Sequence, residues 1–107
     1  MKSKLDLNLL IEETGVDSAL VFNEAGNLIR SHYLDFDGNI AAMAGVLLTM
    51  CKELIEDLKF GNSQELILHA DKGLFFVKKL EKEEYLALIT KNSSKLGLIH
   101  LKLQSIM

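Results

Sequence analysis

The fold of this chain is decided by residues 38–60, which read GNIAAMAGVLLTMCKELIEDLKF. Apolar residues recur in this segment every three or four positions, which is the spacing of a helix face. Asp37 before the segment and Gly61 after it are residue types that cap and end helices. We therefore predict one long helix over residues 38–60. The face expected to cover the rest of the fold consists of Ile40, Met43, Ala44, Leu47, Met50, Cys51, Leu54 and Leu58.

The segments on either side of this helix predict an α+β fold. Short apolar runs bounded by glycines and charged turns indicate strands, and amphipathic segments at the two ends indicate helices. The order αββαβββα predicts one domain over residues 1–107, with a single five-stranded antiparallel sheet and the long helix on one face. The expected elements are helices at 2–14, 38–60 and 94–107 and strands at 18–23, 28–33, 65–70, 74–80 and 85–91.

Composition excludes several classes of protein. The chain has 107 residues and a formal net charge of −3, and its lysines are scattered, so we expect no nucleic-acid partner. The longest uncharged run, residues 38–51, is too short to cross a bilayer, and the N-terminus lacks the apolar region of a signal peptide, so we expect no membrane span. The lone cysteine cannot form an internal disulfide, which fits a cytoplasmic location.

Motifs that carry catalysis are absent from the sequence. No phosphate-binding loop, C-x-x-C or H-E-x-x-H occurs, and the three histidines stand alone at positions 32, 69 and 100. Cys51 is expected as a buried, inert thiol. Met43 and Met50 are interpreted as core residues, with an adaptable binding surface as the alternative. We expect no enzymatic activity, no metal site and no cofactor.

The apolar content slightly exceeds that of an average soluble domain, and it is concentrated in two places. The first half of the long helix is apolar on all sides, and the strand at 65–70 is an apolar strand at an expected sheet edge. A second copy of the chain would cover both, so we predict a homodimer; packing of the outer helices against the long helix is the alternative. The predicted interface residues are Ala41, Ala42, Gly45, Val46, Leu48, Leu66, Leu68 and Ala70.

Several stretches resemble the Roadblock/LC7 family, in its single-domain prokaryotic form. They are ETGVDSALV at 13–21, EAGNLI at 24–29, NIAAM at 39–43 and KLGLI at 95–99, so that the resemblance covers nearly the whole chain. It implies a profilin-like architecture and a dimer in which the long helices pack side by side and the third strands join into one sheet. This agrees with the dimer expected from the apolar surplus.

The resemblance also implies a function. Single-domain prokaryotic members bind small Ras-like GTPases, and some stimulate GTP hydrolysis without an arginine finger; the single arginine here, Arg30, lies in an expected strand. The GTPase-facing surface implied by the family maps to Thr49, Lys52, Glu53 and Glu56, and an ordinary solvated helix face is the alternative. Two other functions remain open: a dimeric adaptor resembling dynein light chains that leaves hydrolysis unchanged, and a small-molecule sensor.

Overall fold

The computed structural model describes residues 5–63, 65–81 and 83–106, for Ile106 the backbone alone. The elements follow the predicted order and form one antiparallel sheet of five strands, arranged β2-β1-β5-β4-β3, so the predicted fold class is confirmed. The helices are α1 (Leu7–Thr14), α2 (Asp37–Asp57) and α3 (Leu96–Ile106), and the strands are β1 (Ser18–Asn23), β2 (Leu28–His32), β3 (Glu65–Ala70), β4 (Gly73–Lys79) and β5 (Glu84–Thr90).

The helix ends show where the predicted bounds were wrong. Helix α2 begins after Phe36, which has φ 57°, and Asp37 is its first residue rather than its cap. The Asp37 carboxylate instead accepts hydrogen bonds from the Ser31 hydroxyl at 2.5 Å and from the Gly38 N–H at 2.8 Å. A 3₁₀ turn over Ser93–Lys95 precedes α3.

The sheet separates two apolar clusters. On one face, α1 and α3 cover the sheet with large side chains, including Leu10 and Ile99, which pack in one cluster with Phe76 of β4. On the other face, α2 covers it with Ala41, Ala44 and Leu48 above side chains of β1, β4 and β5. The first cluster therefore encloses its large side chains within one protomer, whereas the second is built around small helix residues.

Helix α2 is rotated about its axis relative to the prediction. Its buried residues are Ala41, Ala44, Gly45 and Leu48, at the i, i+3, i+4 and i+7 spacing of one face. Of the eight residues expected on the core face, only Ala44 is buried; Ile40 and Cys51 are half-buried. The other five are exposed: Met43, Leu47, Met50, Leu54 and Leu58.

The rotation has a steric cause at Gly45. A Cβ atom added there would lie 2.7 Å from the Cα of Gly26 and 2.9 Å from its nitrogen. Gly26 itself has φ 86°, a conformation that glycine adopts without strain, in the turn between β1 and β2. The backbone of α2 thus rests directly on this turn, and only small residues fit between them. The larger side chains of the helix are consequently placed on its outer side.

By length and hydropathy alone, α2 also qualifies as a helix that could cross a membrane; it is the one such helix among the described residues. The helix has 21 residues, and an 18-residue stretch of it has a mean hydropathy of 1.3. The same test is passed by central helices of soluble domains, and α2 packs one face against a sheet as such helices do.

A candidate protein-binding surface on the central helix and the edge strand

The outer side of α2 carries a continuous apolar stripe. Its members recur at spacings of three and four residues, which places them in one row along the helix. Each is exposed, and Met50, near the middle of the row, is 63% exposed to solvent. We call this row the outer ridge; it consists of Met43, Val46, Leu47, Met50 and Leu54. A row of this kind is typical of the seam between two packed helices.

Strand β3 lies at the edge of the sheet and, within the part of the chain that the structure describes, pairs with β4 alone. The register places Leu66 opposite Val77 and Leu68 opposite Phe75, on the face that α2 covers. Leu66 is half-buried and Leu68 and Ala70 are exposed, so the apolar side of the strand is incompletely covered. The strand therefore offers both unpaired backbone groups and apolar side chains to a partner.

The predicted interface residues on α2 divide into two groups. Ala42 and Val46 are exposed, as an interface requires. Ala41 has 0% of its surface exposed, Leu48 is buried, and Gly45 is held against Gly26, so the assignment of these three to a dimer interface was wrong. They contact the protomer's own sheet and turn because α2 approaches the sheet through its small residues.

Of the outer ridge, Val46 was predicted at the interface, whereas the other four residues were assigned to the core face because both sides of α2 are apolar in this region. A signal was present in the sequence: the small residues Ala41, Ala44 and Gly45 share one face with helical spacing. Small residues on one face allow a close backbone approach, and large residues on the opposite face remain available to a partner.

The four residues predicted to face a GTPase lie on the flank of α2 next to the β1–β2 turn. Thr49 donates a hydrogen bond from its hydroxyl to the Gly45 carbonyl at 3.1 Å, and Glu53 is exposed. Lys52 forms an ion pair with Glu24 of the β1–β2 turn. Lys52 and Glu56 line a cleft beside the helix. The structure thus brings the four residues onto one flank, and the role assigned to them stays a prediction.

The ion pair between Lys52 and Glu24 changes the pKa values of both its members, and the charge of Glu24 also acts on the pKa of Tyr85. The hydrogen bond from Lys52 lowers the pKa of Glu24 below its ordinary value, and the same bond raises the pKa of Lys52. Burial, followed by the charge of Glu24, raises the pKa of Tyr85. The pair is part-exposed, so solvent screens it and its contribution to stability is small.

Replacing Glu24 with glutamine is expected to lower the free energy of unfolding by about 0.5 kcal/mol at neutral pH. The carboxylate's pKa is lowered in the folded state, so the pair stabilises the fold above the ordinary pKa of 4.5, and this contribution is lost as the pH falls through the lowered value. Urea denaturation of both proteins, repeated as the pH is lowered from about 7 to about 3, measures the difference. Glu12→Gln, at an exposed position of α1, serves as the control; a constant difference across this range would contradict the prediction.

The other polar residues singled out from the sequence do not assemble into a reactive site. Among the described residues, no group of three or more His, Cys, Asp or Glu side chains is arranged to hold a metal ion. His100 contacts Glu65 at 3.1 Å, whereas His32 contacts the ring of Tyr33. Arg30 donates from its guanidinium to the Leu5 carbonyl at 2.5 Å.

Comparison with known proteins decides the family. The model of the Roadblock/LC7 domain matches residues 2–90, which is most of the chain. The chain belongs to the Roadblock/LC7 family. Members of this family are generally non-catalytic regulators or adaptors.

Solved Roadblock/LC7 structures share the fold at low sequence identity. Myxococcus xanthus MglB superposes with a TM-score of 0.83 at 15% identity, over 91% of this chain and 81% of that one. A Roadblock/LC7 domain from Streptomyces avermitilis gives a TM-score of 0.74 at 18% identity, over 97% and 98% of the two chains. An MglB described with a tetrameric arrangement gives 0.83 at 17% identity, over 92% and 77%. No curated protein sequence matches the chain.

Proposed function

We propose that this Roadblock/LC7 protein is a cytoplasmic, homodimeric regulatory partner of a small Ras-like GTPase. The observation that carries the proposal is the joint exposure of the outer ridge and the β3 edge, two apolar surfaces that a single protomer leaves uncovered. Membership of the family supports it, since single-domain prokaryotic members are expected to act on such GTPases.

A two-fold arrangement covers both surfaces at once. Pairing of β3 with the same strand of a second copy satisfies the backbone groups at both sheet edges and extends the sheet. The outer ridges of the two α2 helices then pack against each other. The interface that we propose consists of the outer ridge, Ala42 and the β3 residues Leu66, Leu68 and Ala70.

The polar flank of α2, formed by Thr49, Lys52, Glu53 and Glu56, is left for the GTPase. Acceleration of hydrolysis would then come from preferential binding of a GTPase conformation in which its own catalytic groups are ordered. Arg30 supports a mechanism without an arginine finger, because its guanidinium is half-buried and bonded to the Leu5 carbonyl.

The test is a single-turnover assay of phosphate release by the Ras-like GTPase encoded nearest to this protein. We expect stimulation of about 10-fold or more, below the 10³–10⁵-fold that an arginine finger supplies. Glu53→Lys, on the polar flank, is expected to weaken the stimulation and leave the dimer intact, since Glu53 lies outside the outer ridge. Arg30→Lys is expected to leave the stimulated rate unchanged, and a large loss in that variant would contradict the mechanism.

Two outcomes would redirect the assignment. A stable complex with no change in the rate of hydrolysis would identify a dimeric adaptor, the second function left open by the sequence. The absence of a complex in either the GDP or the GTP state would remove the GTPase proposal.

A further inference from the structure

A cleft of about 370 Å³ lies where the end of α2 and the α2–β3 loop face the ends of β4 and β5. Its volume is at the lower end of the range for small-molecule sites. Neither the proposed dimer nor the proposed GTPase contact requires a cavity here. The lining residues are Lys52, Glu56, Gly61, Asn62, Ser63, Lys78, Lys79, Leu80 and Tyr85.

Cations predominate in this lining, which contains three lysines and one glutamate. Lys78 is paired loosely with Glu65, at 3.8 Å, and Lys52 is paired with Glu24. Lys79 is exposed and makes no salt bridge with the described residues, although the charge of Glu24 acts on it. Lys52 and Lys78 are therefore paired with carboxylates that a bound anion could replace, and the ammonium group of Lys79 is available to an anion.

Hydrogen-bond donors in the lining add to this positive charge. The Asn62 amide and the Ser63 hydroxyl form no hydrogen bond with other described side chains or backbone groups, and neither do the backbone N–H groups of Gly61–Ser63. The phenol of Tyr85 lines the same cleft and is protonated at neutral pH, as an ordinary tyrosine is, so it can donate as well. Lysines combined with unbonded amide and hydroxyl donors suit an anion with several acceptor oxygens.

We propose that this cleft binds a small, multiply charged phosphate compound. The ammonium groups of Lys78 and Lys79 supply charge, and the Gly61–Ser63 loop supplies hydrogen bonds to the phosphate oxygens. The carboxylate of Glu24 competes with the anion for Lys52, because it pairs with the Lys52 ammonium group when the cleft is empty. Binding releases Lys52 from Glu24 and directs it to the anion.

The test uses pyrophosphate as the probe and amide chemical shifts of the full-length protein as the readout, at constant ionic strength. We expect saturable shifts confined to residues 24, 52, 56, 61–63, 78–80 and 85, with a dissociation constant below about 1 mM. Lys79→Gln is expected to weaken binding by about 10-fold, which is the loss of one charge-assisted contact. Glu24→Gln is expected to tighten binding by about 3-fold, because it removes the competitor for Lys52.

A matched substitution separates the cleft from general electrostatic attraction. Lys72→Gln changes the same charge in the exposed β3–β4 turn, outside the cleft, and is expected to leave the affinity unchanged within about 2-fold. An equal loss in Lys72→Gln and Lys79→Gln would show an adventitious ion only and overturn the proposal. So would the absence of saturable shifts at about 10 mM pyrophosphate, or weaker binding by Glu24→Gln. None of these results depends on GTPase binding, so the two proposals fail separately.

Discussion

Replacing Gly45 with alanine is expected to destabilise the protein by about 2 kcal/mol, the typical cost of overpacking a close contact. The new methyl group would lie 2.7 Å from the Cα of Gly26, and the nearest atoms are backbone, so no side-chain rotation relieves the clash. Either α2 or the β1–β2 turn has to move. Alanine's higher helix propensity offsets about 1 kcal/mol of a larger steric cost. A thermal melt at fixed protein concentration should show a midpoint lower by roughly 10 °C.

Gly38→Ala is the matched control for this substitution. Gly38 lies in the first turn of the same helix, and a Cβ atom added there meets nothing within 4 Å. The control is expected to melt at or slightly above the temperature of the unmodified protein, since alanine is the better helix former. Equal melting temperatures for the two variants would show that the contact with Gly26 does not limit the helix position.

Replacing Met50 with glutamate is expected to dissociate the proposed dimer. In a two-fold interface the substitution occurs twice, so two carboxylates would be buried in the seam between the α2 helices. We expect the dimer dissociation constant to rise by about 100-fold or more. Light scattering should change from twice the protomer mass of 12.0 kDa to that mass, at micromolar concentration.

Leu101→Glu is the control for the charge and for the loss of an exposed apolar side chain. Leu101 lies on α3, on the other face of the sheet, and its 62% exposure nearly equals the 63% of Met50. This variant is expected to remain dimeric. A monomeric unmodified protein, or dissociation by Leu101→Glu alone, would contradict the placement of the interface on the outer ridge.

The order and type of the elements could be predicted from the sequence because each depends on local signals. Gly15 ends α1 with φ 76°, and the turn at Gly26 joins β1 and β2 as expected. The bounds of α2 were less certain from sequence, because Phe36 and Lys59 adopt positive φ values that aromatic and long side chains rarely take.

The orientation of α2 could not be predicted from periodicity, and this limited the prediction of the site. Residues 40–48 are apolar on every side of the helix, so the pattern contains no contrast between inside and outside. The choice is made by a long-range contact between Gly26 and Gly45, which hydropathy does not report and which only the small size of the residues on that helix face indicates. The β3 edge, by contrast, was predicted from the position of this strand directly after the long helix, and the strand order places it at the edge of the sheet.

The two faces of the sheet have different tolerances to sequence change. The α1–α3 side is filled by large side chains of the same protomer, so substitutions there alter folding first. On the α2 side, a few small buried residues are required by the packing of the helix on the sheet. The exposed residues of the outer ridge make few contacts within the protomer, so its packing tolerates other side chains there. Related chains can therefore exchange partners by changing the outer residues of a single helix, while the opposite face preserves the fold on which those residues are displayed.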